Sequence, residues 1–85
     1  MKHAGQNTLT SLETLLQEVR KQPSLVERSP GSFYRKSMAY LHFHKDVSGI
    51  YADVKLNFAE FTRIRVTTPK EQARLLSLIG KSLKD

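Results

Sequence analysis

The sequence predicts an α+β fold in two layers. Its order is α-β-β-β-β-α, an antiparallel meander of three to four strands with two helices packed on one face. Three observations carry this expectation. Leucine stripes at helical spacing stand toward both ends of the chain. Between them, apolar and polar residues alternate over short runs. The connections between those runs are turn-length, which suits antiparallel neighbours and excludes parallel crossovers.

The first eight residues are polar and read as a disordered leader to a single domain spanning residues 1–85. Thr8 or Thr10 is the expected cap of the first helix. Leu12, Leu15, Leu16 and Val19 supply its apolar stripe, and Pro23 marks its far boundary. Ser24 to Ser32, "SLVERSPGS", reads as a loop with a turn at Pro30-Gly31. "FYR", Phe33 to Arg35, is a short strand. "MAYLHFH", Met38 to His44, sets Ala39, Leu41 and Phe43 against Tyr40, His42 and His44. After a turn at Asp46 to Gly49, "YADVKL" sets Ala52, Val54 and Leu56 against Tyr51, Asp53 and Lys55. A turn near Phe58 to Glu60 leads to "FTRIRVT", where Ile64 and Val66 oppose Arg63, Arg65 and Thr67. "TPKE", Thr68 to Glu71, is a capping box. It opens a helix striped by Leu75, Leu76, Ile79 and Leu83 and weakened by Gly80.

Composition narrows the chemistry. The chain has 85 residues and no cysteine, which excludes disulfides, thiolate metal sites and thiol catalysis. No apolar run approaches the roughly 20 residues of a membrane span. The expectation is a cytoplasmic protein without a membrane role. A formal charge of +6 favours anionic partners, although the basic residues are scattered rather than blocked.

Burying one sheet face selects the strand register. Pairing Leu41 with Val54 and Phe43 with Ala52 places His42 opposite Asp53 and His44 opposite Tyr51. Pairing Val54 with Ile64 and Ala52 with Val66 sets Asp53 against Arg65, Lys55 beside Arg63, and Tyr51 beside Thr67. Three polar rows then cross the outer face: His42–Asp53–Arg65, Tyr40–Lys55–Arg63 and His44–Tyr51–Thr67.

These rows allow several chemistries. His-x-His on a strand aims two imidazoles the same way, and Asp53 is a candidate third ligand. A neighbouring arginine opposes a cation there. His42 beside Asp53 resembles a general base and its orienting acid. A nucleophile is missing, because Ser37 and Ser48 sit at strand ends or turns and Thr67 lies in another row. The reading preferred here is non-catalytic, with no cofactor and no resident metal. Tyr40, His42, His44, Tyr51, Asp53, Lys55, Arg63 and Arg65 form a polar, basic face for an anionic ligand, with single-stranded nucleic acid one such ligand. A protein partner or a second copy of the chain is the other occupant considered. The alternative is a metal-binding or hydrolase-type site on His42, His44 and Asp53.

From Phe33 to Leu83 the chain also resembles a group of small bacterial domains filed under the name "luciferase family". The residues that carry this are "FYR", the His-x-His of "LHFH", Ala52-Asp53 in "YADV", and the helix "TPKEQARLLSLI". The Gly-Trp segment those domains carry before the last strand is missing, and the chain has no tryptophan. The resemblance implies the same α+β meander and groups His42, His44 and Asp53 together. It implies no light-emitting chemistry and assigns no activity.

Overall fold

The computed structural model of the chain describes residues 2–3 and 12–84. It is an α+β structure with two helices and a five-strand antiparallel sheet, to which a two-residue strand is added. In chain order the elements are β1 (Lys2–His3), α1 (Glu13–Arg20), β2 (Val26–Ser29), β3 (Ser32–Arg35), β4 (Met38–Asp46), β5 (Gly49–Val54), β6 (Thr62–Arg65) and α2 (Pro69–Leu83). Strands β2 to β6 lie side by side in sequence order, and β1 pairs with β4.

Helix α1 turns Leu15, Leu16 and Val19 inward. Its N-cap is Leu12, which is itself buried and makes no side-chain cap bond. The expected caps Thr8 and Thr10 lie outside the described residues, as does the leader beyond His3. Lys2 and His3 stand opposite Lys45 and His44 as β1.

Strand β2 is a correction: the stretch expected to be a loop pairs with β3 as a hairpin. Pro30 and Gly31 make its turn, with Gly31 at φ 78°. At the sheet edge β2 is almost wholly solvated, so it carries no apolar alternation to reveal it. Its anchors are polar. Arg20 donates to both Glu27 oxygens at 2.6 and 3.1 Å, and Gly31 N–H donates to Glu27 at 2.9 Å.

The register of β4 on β5 is the expected one, with Leu41, His42, Phe43 and His44 opposite Val54, Asp53, Ala52 and Tyr51. The β5–β6 register differs by two residues: Ala52 pairs with Ile64, Asp53 with Arg63, and Tyr51 with Arg65. Both registers bury Ile64 and Val66, so face pattern alone cannot separate them. Val66 lies beyond β6, fully buried, and donates its N–H to Ile50 O at 2.8 Å.

Phe33, Leu41, Phe43, Ala52, Val54 and Ile64 from the sheet, with Val66 just past it, share one core cluster with Leu12, Leu15, Leu16, Val19, Leu75 and Ile79 from the helical segments. The capping box of α2 is present as expected. Thr68 Oγ1 accepts from Glu71 N–H, and a Glu71 carboxylate oxygen accepts from the Thr67 and Thr68 N–H groups, each at 3.0 Å. Gly80 lies on the exposed side of α2, and a Cβ there would meet nothing within 4 Å. Gly80→Ala is therefore expected to stabilise the protein by about 0.5–1 kcal/mol, read as a higher urea midpoint at constant slope.

A candidate His–Asp–Arg centre on the polar sheet face

Strand alternation sends His42, His44 and Asp53 to the face opposite the core. Asp53 comes from the middle of the sheet, and only 7% of it is exposed. A carboxylate in that position needs partners, and it has two hydrogen bonds and one close imidazole contact. Arg63 Nε donates to Oδ1 at 2.9 Å and Arg63 Nη2 to Oδ2 at 3.0 Å. His44 Nε2 stands 2.8 Å from Oδ2. The Arg63 fork holds the Asp53 carboxyl below its usual range; burial opposes this, and the positive field of Arg63 adds to it.

The register puts His42 opposite Asp53, yet the carboxylate meets His44, its diagonal neighbour. Diagonal contacts of this kind are within reach of long side chains across an antiparallel pair. His42 packs edge-on against His44, with ring centroids 4.7 Å apart, and against Phe61 at 4.8 Å. The ligating atoms of His42, His44 and Asp53 all lie within 4.8 Å of one another. The three residues singled out in the sequence are thus brought together.

Other expected members sit elsewhere. Tyr40 is a correction: it is 1% exposed and belongs to the core. On β3, adjacent Phe33 and Tyr34 face Leu41 and Ala39, which are two residues apart on β4. Tyr40 is the extra residue of this bulge, which turns it to the same side as Leu41. Its hydroxyl donates to Ser82 Oγ at 2.8 Å, and Ser82 Oγ donates to Leu56 O at 2.7 Å. Burial pushes the Tyr40 phenol upward.

Arg65 is likewise not the partner of Asp53. It donates to both oxygens of Glu71 at 3.0 Å and to Ser48 O at 3.2 Å, which joins β6 to the start of α2. Tyr51 bonds Ser48 Oγ at 2.6 Å. Thr67 donates to Ile50 O and accepts from its N–H, so it is spent on backbone. Arg63 pairs with Asp53 rather than Lys55, and Lys55 Nζ stands 4.9 Å from the Phe61 ring centroid.

Phe61 and Tyr34 are the residues that sequence reasoning missed. Phe61 is 43% exposed, between His42 and Lys55. Tyr34 lies half-buried, with the Arg28 guanidinium 4.6 Å over its ring. The signal for Phe61 was present. It shares the odd-number parity of Arg63 and Arg65, which alternation sends to this face.

Among the described residues no helix is long and apolar enough to cross a membrane. No family model, curated protein or solved structure matches the chain.

Proposed function

We propose that this chain is a small non-catalytic binding domain whose polar sheet face takes an anionic ligand with planar rings, single-stranded nucleic acid being the type tested first. The observation that carries the reading is a pair of cation-capped aromatic rings on that face, Tyr34 under Arg28 and Phe61 under Lys55. Among the described residues no carboxylate pairs with Arg28 or Lys55, whereas Arg20, Lys21, Arg63 and Arg65 are all ion-paired. Their charge is therefore available to a phosphate, and a cation that swings out to meet one uncovers the ring beneath for stacking. The formal charge of +6 supports the same direction. A chain without cysteine is compatible with the reducing cytoplasm, the location proposed for it.

The test is a backbone-amide NMR titration with a short single-stranded oligonucleotide, followed by affinities of variants. Shifts should cluster on Tyr34, His42, Lys55, Phe61 and Arg63. Phe61→Ala should weaken binding about tenfold, the value of one lost stack. Lys55→Ala should lower the salt slope by about one. Affinity unchanged in both variants would remove the assignment.

A protein partner on the same face is the second reading. It is favoured by Val26, 59% exposed on edge strand β2, together with Phe61. Concentration-dependent sedimentation of the free chain distinguishes self-association from a ligand-only role.

A further inference from the structure

We propose that His42, His44 and Asp53 form a site for one divalent transition metal ion of the zinc class, entered between His44 Nε2 and Asp53 Oδ2, with Arg63 as its built-in competitor. This does not depend on the anionic-ligand reading, which uses the rings and cations around it.

The geometry supplies the argument. Zinc takes imidazole nitrogen at about 2.0–2.1 Å and carboxylate oxygen at about 2.0–2.2 Å, so two ligands of a tetrahedral ion stand about 3.3–3.4 Å apart. His44 Nε2 and Asp53 Oδ2 are 2.8 Å apart, and a small opening admits an ion between them. His42 is the third ligand. All three ligating atoms lie within 4.8 Å of one another, so the gap to close is at most about 1.5 Å, within reach of side-chain rotation. Two of the three ligands come from one strand and the third from the next, so the sheet fixes their directions in advance. Phe61 against His42 gives the site one apolar wall.

Arg63 decides the strength. Its Nε bond to Oδ1 can persist when Oδ2 binds an ion, as an outer partner that orients a ligating carboxylate. Its Nη2 bond is on Oδ2 itself, so metal and guanidinium compete for that oxygen. The fixed positive charge also repels the ion. The site is accordingly weaker than a structural zinc centre, and it strengthens when Arg63 moves.

The experiment titrates the full chain, and its Arg63→Gln, His42→Gln and His44→Gln variants, with Zn²⁺ alone. Calorimetry gives affinity and stoichiometry, and NMR of the imidazole rings gives location. Co²⁺ absorption reports tetrahedral coordination. Amide spectra verify that each variant is folded. The expected result is one equivalent bound, ring signals of His42 and His44 shifted together, and affinity lowered at least about tenfold in each histidine variant. Affinity in Arg63→Gln should rise by about tenfold or more. No uptake by either the native chain or Arg63→Gln overturns the proposal. So does uptake that His44→Gln leaves unchanged, which would place the ion elsewhere on the chain.

Discussion

Tyr40→Ala is expected to lower stability by about 3–5 kcal/mol, the range for truncating a large aromatic in a packed core. A domain of this length holds roughly 4–13 kcal/mol in total. The loss corresponds to a fall in Tm of about 15 °C or more. The cost arises because Tyr40 is 1% exposed, stacks near Phe58 with centroids 6.0 Å apart, and anchors the Ser82 hydroxyl that in turn holds Leu56 O. Removing the ring leaves a cavity against α2 and costs Ser82 one of its two partners. Tyr40→Phe keeps the ring and loses only the hydrogen bond, about 1 kcal/mol. Urea denaturation of both variants checks the ordering, and an oligonucleotide titration of Tyr40→Phe completes it. A Tyr40 on the outer face would give the opposite pattern, with little stability lost in Tyr40→Ala and binding weakened in both. Comparable stability of native protein and Tyr40→Ala would therefore restore the placement that alternation alone suggests.

That placement fails for a local reason, and the other differences between sequence and structure have the same character. Strict alternation along Met38 to His44 assumes an unbroken pleat. The β4 bulge inserts one residue, so phase is kept from Leu41 onward and lost before it. The same alternation rule fixed the faces of His42, His44 and Asp53, because the two histidines lie past the bulge and Asp53 is on β5, whose register with β4 is unbroken. It also fixed which arginines face outward, but not which one meets Asp53. A shift of two residues preserves parity, and the polar contacts that fix the choice are not visible in an apolar pattern. Arg63 forks Asp53, while Glu71, spent on capping α2, draws Arg65 to the end of the sheet. Strand β2 leaves no apolar pattern in the sequence because its stabilisation is hydrogen bonding and the Arg20–Glu27 pair rather than burial. Helix α2 was legible in full, since its capping box and leucine stripe are local signals.

The placement of Gly49 shows how tightly the polar end of the sheet is drawn. Its φ of 142° belongs to glycine, and a Cβ there would overlap Thr67 Oγ1. Thr67 can approach so closely because it bonds both polar backbone groups of Ile50. The β4–β5 turn, the end of β6 and the start of α2 are thus held as one unit. This unit adjoins the His–Asp–Arg centre through Tyr51, which pairs with His44 on one side and Arg65 on the other. A rigid frame of this kind favours a site whose side chains are preset over one that closes on its ligand.

Within that frame Asp53 is the charge on which the face depends, and Asp53→Ala is expected to cost about 2 kcal/mol. The figure is that of a charge-assisted hydrogen-bond set, taken at the lower end because Arg63 is half exposed to screening solvent. Arg63→Ala should cost less, since Asp53 then keeps His44. The pH dependence has a definite sign. The folded-state carboxyl titrates below its usual value, chiefly through the Arg63 fork. Its contribution is therefore complete above the unfolded value of about 3.9 and is lost as pH falls through the lower folded value. Glu27 and Glu71 are also held low and contribute acid sensitivity of their own. Comparing native protein with Asp53→Asn isolates the Asp53 share. Urea midpoints measured from pH 6 down to pH 2.5 should converge below about pH 4, as the native protein loses what the variant never had. Curves that stay parallel through that range would mean that the Asp53 carboxylate adds nothing to the folded state, and that the centre on this face is held by packing alone.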